Sequence, residues 1–254
     1  MGIILTSRVP YTAANPLRPK RPATSKIIFL SMEGIVTEEE YFEWVSRLFD
    51  EVKTKIQFIS VVEDAVHTRE KYRTQEQRSM LGRSKPKHLV EKIEQFKIEQ
   101  NDKYQFDKYK EDEFWIVTDI DDNLSDFAIE GFHRALDRCD ERGYGYAVSN
   151  PFFELWLLLH HDNIKEEDEG HAVTESHAYE KTDYFIKRLK DCGAPLCDSK
   201  HIRKEDYTKE KIIQAVERAK SLHTDREGRY PKYLATTVYR LLEKILELAA
   251  RQGN

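Results

Sequence analysis

The chain is 254 residues long, with 34% charged and 39% hydrophobic residues and a formal net charge of −5, a composition that suits a globular protein with its own core and excludes a wholesale basic coat. A local basic patch is enough to bind nucleic acid, so the net charge leaves such a partner open. Three scattered cysteines, Cys139, Cys192 and Cys197, exclude a disulfide framework and have no zinc spacing, and with no bilayer-length apolar run and no apolar signal core at the N-terminus, the expectation is a cytoplasmic protein without membrane contact.

Residues 1–25 carry Arg8, Pro10, Pro16, Arg18, Pro19, Lys20, Arg21 and Pro22, a basic, proline-rich tail that cannot form a regular helix. Lys26 to Met32 then reads as a buried strand that runs straight into Glu33-Gly34. Thr37 is the expected N-cap of a helix over 38–54, with Glu38, Glu39 and Glu40 complementing its dipole and Tyr41, Trp44, Val45, Leu48 and Phe49 at helical spacing. A second strand is expected over 56–62. The stretch 65–102 is a charged, largely helical insertion broken near Gly82 to His88; Arg69, Lys71, Arg73, Arg78, Arg83, Lys85 and Lys87 make it the densest positive segment. That density suits nucleic acid and equally suits a solvated helical face.

Phe114 to Asp122 is the most informative run: an apolar strand over 113–119 that ends in Asp119, Asp121 and Asp122. Side chains alternate along a strand, so Asp119 and Asp121 point the same way while Ile120 turns toward the core. Paired carboxylates with no His or Cys beside them favour Mg²⁺ or Mn²⁺ over zinc. A solvated turn explains the same residues equally well when they are taken alone. Two acid-bearing strand ends, at Glu33 and Asp119, can meet if their strands are neighbours.

A helix over 125–142, a stop at Gly143 and a strand over 144–149 complete a β-α alternation from residue 26 to 150. That alternation predicts an α/β fold with a parallel sheet sandwiched by helices. Helices over 151–161, 176–192, 207–222 and 231–252 follow, so 162–254 reads as a helical C-terminal region. Asn150 and Pro151 suit the cap and first position of the 151–161 helix, which is apolar on nearly every face and so expected to be buried. Glu154 in its first turn and His160 in its last are candidate supporting residues, although a carboxylate there also complements the helix dipole.

Asn150-Pro151-Phe152-Phe153-Glu154-Leu155-Trp156-Leu157-Leu158-Leu159-His160, after an Asp-x-Asp-Asp strand end, resembles the RloB-like family of prokaryotic defence proteins. Glu33-Gly34-x-x-Thr37-Glu38-x-x-Tyr41-Phe42 is similar to the family's first motif, and Tyr233 to Lys244 to its closing helix; together the resemblance covers residues 26 to 250. It departs at Ile35-Val36, where relatives carry charge, and in the length of the 65–88 segment. The resemblance implies a TOPRIM-like core over 26–161, with Glu33, Asp119 and Asp121 as catalytic metal ligands for Mg²⁺ or Mn²⁺. It implies an abortive-infection effector controlled by an ABC-type ATPase. The expected activity is cleavage of RNA, tRNA included, or of DNA, with Asp122 completing the metal shell and Glu154 and His160 orienting it. Lys200, His201 and Lys204 are candidate nucleic-acid contacts, although an exposed basic loop explains them as well. The rival reading is a partner-binding subunit of the ATPase complex without nuclease activity of its own; a third is nucleotidyl transfer at the same metal site. A homodimer of the active chain is compatible with each.

Overall fold

The computed structural model describes residues 26–34, 36–49, 54–58, 86–120, 126–173, 178–198, 200–225 and 228–250. The proline-rich tail, the basic segment up to Lys85, the second half of the expected 56–62 strand, and Asp121 and Asp122 lie outside the described residues.

Four parallel strands form the sheet: β1 (Lys26–Met32), β2 (Thr54–Phe58), β3 (Glu113–Asp119) and β4 (Gly145–Asn150), joined by a two-residue antiparallel edge, β5 (Ala235–Thr236). The order is β2-β1-β3-β4-β5. Helices are α1 (Thr37–Leu48), α2 (Pro86–Glu99), α3 (Asn101–Tyr104), α4 (Asp126–Arg142), α5 (Phe153–Leu158), α6 (Glu166–Val173), α7 (Ala178–Asp191), α8 (Lys209–Leu222) and α9 (Val238–Ala250).

Both faces of the sheet are covered, as the period-two pattern dictates. Ile28 and Leu30 of β1 and Trp115 and Val117 of β3 point to one face, where they join residues of α1, α5, α7, α8 and α9. Their sequence neighbours Ile27, Phe29, Phe114 and Ile116 point to the other, under α2 and α4. On that second face the Phe29 ring stacks on Phe114 at 4.9 Å and meets Tyr104 and Phe106 edge-on at 5.2 and 5.5 Å. Burial of side chains of this size contributes roughly 1.5–3 kcal/mol each. The C-terminal helices thus complete the same core as the sheet.

Connectivity fixes where a site can form. From β1 the chain moves outward to β2 through α1, then returns across β1 to β3 through α2 on the opposite face. The direction of winding therefore reverses between β1 and β3, and the carboxyl ends of those two strands flank the crevice where open α/β sheets bind ligands.

Several local expectations are corrected. Helix α1 is shorter than 38–54, and Val36 rather than Thr37 occupies its cap position, with no side-chain cap. Asn150 and Pro151 do not start α5: Phe152 caps it without a side-chain bond. Asn150 Nδ2 instead donates to the Pro231 carbonyl at 3.1 Å. The expected 231–252 helix begins only at Val238, because Ala235 and Thr236 pair with the free edge of β4. Thr237 locks that pairing by exchanging bonds with the Val148 backbone, its hydroxyl accepting from Val148 N at 2.8 Å and its N–H donating to Val148 O at 2.8 Å.

Candidate active site

Glu33 extends β1 by one more rung, its N–H donating to Val117 O at 3.0 Å. That rung aims the carboxylate across the crevice to β3, where Oε2 accepts from the Thr118 hydroxyl at 2.7 Å and from Asp119 N at 3.3 Å. Asp119 ends β3, and its Oδ2 accepts from Phe153 N, the first residue of α5, at 3.2 Å. The helix that lacks its own cap is therefore tied down by a carboxylate from another strand.

Two more acids face the same place. Successive helical residues turn by about 100°, so the three first-turn glutamates of α1 diverge. Glu38 is only 8% exposed, Glu39 faces solvent, and Glu40 turns toward the 197–204 loop. Glu154 comes from the first turn of α5.

Glu38 and Asp119 each feel the charges of Glu33 and Glu154. Burial pushes the Glu38 carboxyl up to about 7, with Glu154 and Glu33 adding to the rise and the backbone N–H groups of Glu38 and Gly34 opposing it. Burial also lifts Asp119 well above the usual range, reinforced by Glu38, Glu154 and Glu33 and opposed by the Phe153 N–H. Glu154 is raised by burial. Half-buried Lys92 of α2 feels Glu33: burial lowers its pKa and the Glu33 carboxylate raises it. Among the described residues, no three His, Cys, Asp or Glu side chains are gathered tightly enough to hold an ion as they stand.

The other candidates fall in different places. His160 is 1% exposed, with Nδ1 against the Trp156 carbonyl at 2.9 Å and Nε2 against the Tyr41 hydroxyl at 3.0 Å. Both ring nitrogens are used inside the core, so the expected role of orienting a metal or touching phosphate does not fit this placement. Lys200, His201 and Lys204 sit on a loop, closed by a Cys197–His201 bridge, that is strapped to the start of α1. Thr37 Oγ1 donates to Lys200 O at 2.7 Å, Glu40 accepts from Ile202 N at 3.0 Å and pairs with His201 Nδ1 at 2.8 Å, and Lys204 pairs with Glu43 at 3.6 Å. The loop thus lies one residue from Glu38, but two of its three basic side chains, His201 and Lys204, already face carboxylates of α1; the Lys200 side of the strap is exposed.

Sequence reasoning missed Glu38 and Lys92 as site residues. Glu38 was visible, but dipole complementarity already accounted for it; Lys92 is one lysine among many in a charged helix and carries no local signal.

A family model described as RloB-like protein matches residues 28–245. No curated protein and no solved structure matches the chain. Among the described residues no helix is long and apolar enough to cross a membrane.

Proposed function

The chain belongs to the RloB-like family, and from that membership and its converging carboxylates we propose that it is a metal-dependent phosphodiesterase of TOPRIM type that cuts RNA or DNA. Its role is that of the toxic effector in an abortive-infection system controlled by an ABC-type ATPase. The observation that carries the chemistry is the meeting of Glu33, Glu38, Asp119 and Glu154 at the carboxyl ends of β1 and β3. The family resemblance carries the ATPase and the defence role.

The donor set suits a hard dication. Every group is a carboxylate oxygen; burial does most to raise Asp119 and Glu38, and the neighbouring carboxylates add a repulsion that a cation between them would relieve. Glu33, Asp119 and Asp121 would hold Mg²⁺ or Mn²⁺, and Asp122 would complete the set of ligands. When bound, the ion supplies a polarised phosphate and an acidified water. The chain's own residues do the rest. Glu33 is held in orientation by the Thr118 hydroxyl, Glu38 with a proton near neutrality is suited to general acid–base transfer, and the Lys92 ammonium takes up part of the phosphate charge.

The test is to map RNA and DNA ends in cells that express the chain with its ATPase under an infection trigger, beside a Glu33→Gln control. Discrete new ends that need Glu33 are expected. Intact nucleic acids in cells that still arrest growth would sink the reading.

A further inference from the structure

Strand β5 places a second feature at the same edge of the sheet. It runs antiparallel to β4, with Ala235 opposite Asn150 and Thr236 opposite Ser149, and Ser149 in turn lies opposite Asp119. Residues 231–234 therefore enter past the carboxyl end of β4, the edge at which Glu33 and Asp119 end their strands. Two strand spacings, about 10 Å, separate Thr236 from Asp119.

The segment leading into β5 is braced. Arg229 pairs with Asp137 at 2.7 Å and with Asp140 at 2.8 Å, both on α4. The Tyr230 hydroxyl meets His133 Nε2 at 3.1 Å while its ring packs edge-on against Phe132 at 5.1 Å. Asn150 holds the Pro231 carbonyl, and Arg240 donates to Gly228 O at 2.9 Å. From this fixed backbone Tyr233 stands 79% exposed. Beside it, the Lys232 side chain is 67% exposed and stands 4.0 Å from the Asp225 carboxylate.

A single exposed apolar residue needs no explanation. Ile98, Ile129 and Ile213, the other large apolar residues exposed among those described, are aliphatic and lie on helix faces. Tyr233 differs in being aromatic, in having an ammonium as its neighbour, and in standing on a braced segment at the rim of an acid cluster that by itself repels polyphosphate. An aromatic face with a cation beside it is how unpaired strands are held, because every base has a π-face to stack and every nucleotide a phosphate to neutralise. In a duplex those faces are already covered by neighbouring bases.

We propose that Tyr233 and Lys232 form a stacking platform for unpaired nucleotides at the rim of the acid cluster. The proposal rests on the phosphodiesterase reading and deepens it by naming the substrate class: a single strand, or the loop of a folded RNA, rather than duplex.

The test uses the full chain carrying Glu33→Gln, so that nothing is cut, and measures fluorescence anisotropy with labelled oligouridylate, oligothymidylate and a blunt duplex. Tyr233→Ala should weaken binding of the single strands roughly tenfold while Tyr233→Phe keeps it, as stacking requires. Lys232→Ala should lower the salt slope of binding by about one. Stronger binding of the uridylate or of the thymidylate then tells RNA from DNA. Single-strand binding that ignores Tyr233→Ala, a preference for duplex, or no binding by the parent would overturn the platform. Glu33-dependent cleavage that survives any of those results leaves the phosphodiesterase reading intact, and Tyr233-dependent binding without any such cleavage removes that reading but not the platform.

Discussion

The Glu38 carboxylate lies directly over the α-carbon of Gly34, where a Cβ at position 34 would overlap its carbon and both its oxygens. Gly34 is therefore required by close approach, not by backbone conformation. Gly34→Ala should drive the Glu38 carboxylate out of the cluster. The expected result is loss of Mg²⁺-dependent cleavage by at least the factor seen for Glu38→Gln, with the fold retained by circular dichroism. Full activity in the alanine variant would show that Glu38 does not act from its observed position.

Glu38 also sets a pH dependence. Its carboxyl titrates at about 7 in the folded chain against an ordinary 4.5, so the folded state favours the protonated form. The associated stability is complete below about pH 4.5 and is lost as pH rises through 7. Glu38→Gln keeps a neutral side chain at every pH, so at pH 8 in EDTA the variant should be more stable than the parent by about 1–3 kcal/mol, with the gap narrowing at pH 5 and closing below the ordinary 4.5. Millimolar Mg²⁺ should stabilise the parent at pH 8 far more than at pH 5, since bound ligand adds to folded-state stability. Urea unfolding at both pH values checks this; parallel curves would mean that Glu38 is not held neutral by its neighbours.

What was legible in the sequence follows from which interactions are local. The strand 113–119 could be bounded to the residue because a continuous apolar run meets carboxylates, and the burial of α5 followed from apolar residues on every face. Caps failed where a side chain had a distant partner. Thr37 has the right chemistry for an N-cap, but its hydroxyl is taken by the Lys200 carbonyl, 163 residues away, and Asn150 is taken by Pro231. The two-residue β5 has no periodicity to detect; it exists because β4 would otherwise leave an unpaired edge. His160 was expected on one helix with Glu154, yet α5 ends at Leu158 and His160 lies in the turn beyond it, inside the core and away from the acid cluster, a separation that linear proximity hides.

Arg188 and Asp168 supply a prediction of stability alone. Asp168 is fully buried, with Arg188 Nε on Oδ1 at 2.8 Å, the Tyr184 hydroxyl on Oδ1 at 2.6 Å and Lys165 N on Oδ2 at 2.8 Å. Burial raises the Asp168 pKa, but the bonds from Arg188, Tyr184 and Lys165 outweigh it, and the carboxyl stays below its usual range. Arg188→Leu strands that charge and should cost about 3–5 kcal/mol. The double change Arg188→Leu with Asp168→Asn should recover part of the loss, because the stranded charge is gone. Denaturant midpoints decide it, and a double variant no better than the single one would refute the charge argument.

His160 separates a core role from a role at the phosphate. The Trp156 carbonyl can only accept, so Nδ1 carries the proton and Nε2 accepts from the Tyr41 hydroxyl. The ring is therefore neutral, and burial pushes its pKa down to about 3. A base held neutral contributes stability that is complete above its ordinary 6.5 and is lost as pH falls toward 3. His160→Phe should cost about 1–3 kcal/mol at pH 7, because the buried Tyr41 hydroxyl loses its acceptor. Below pH 6.5 the variant should lose stability less steeply than the parent, by up to about 1.4 kcal/mol per pH unit. At pH 7 and a temperature where both are folded, the variant should cleave at a rate close to the parent's, since His160 has no nitrogen free for substrate. A loss of cleavage as deep as that of Glu33→Gln in a folded His160→Phe would return His160 to the active site.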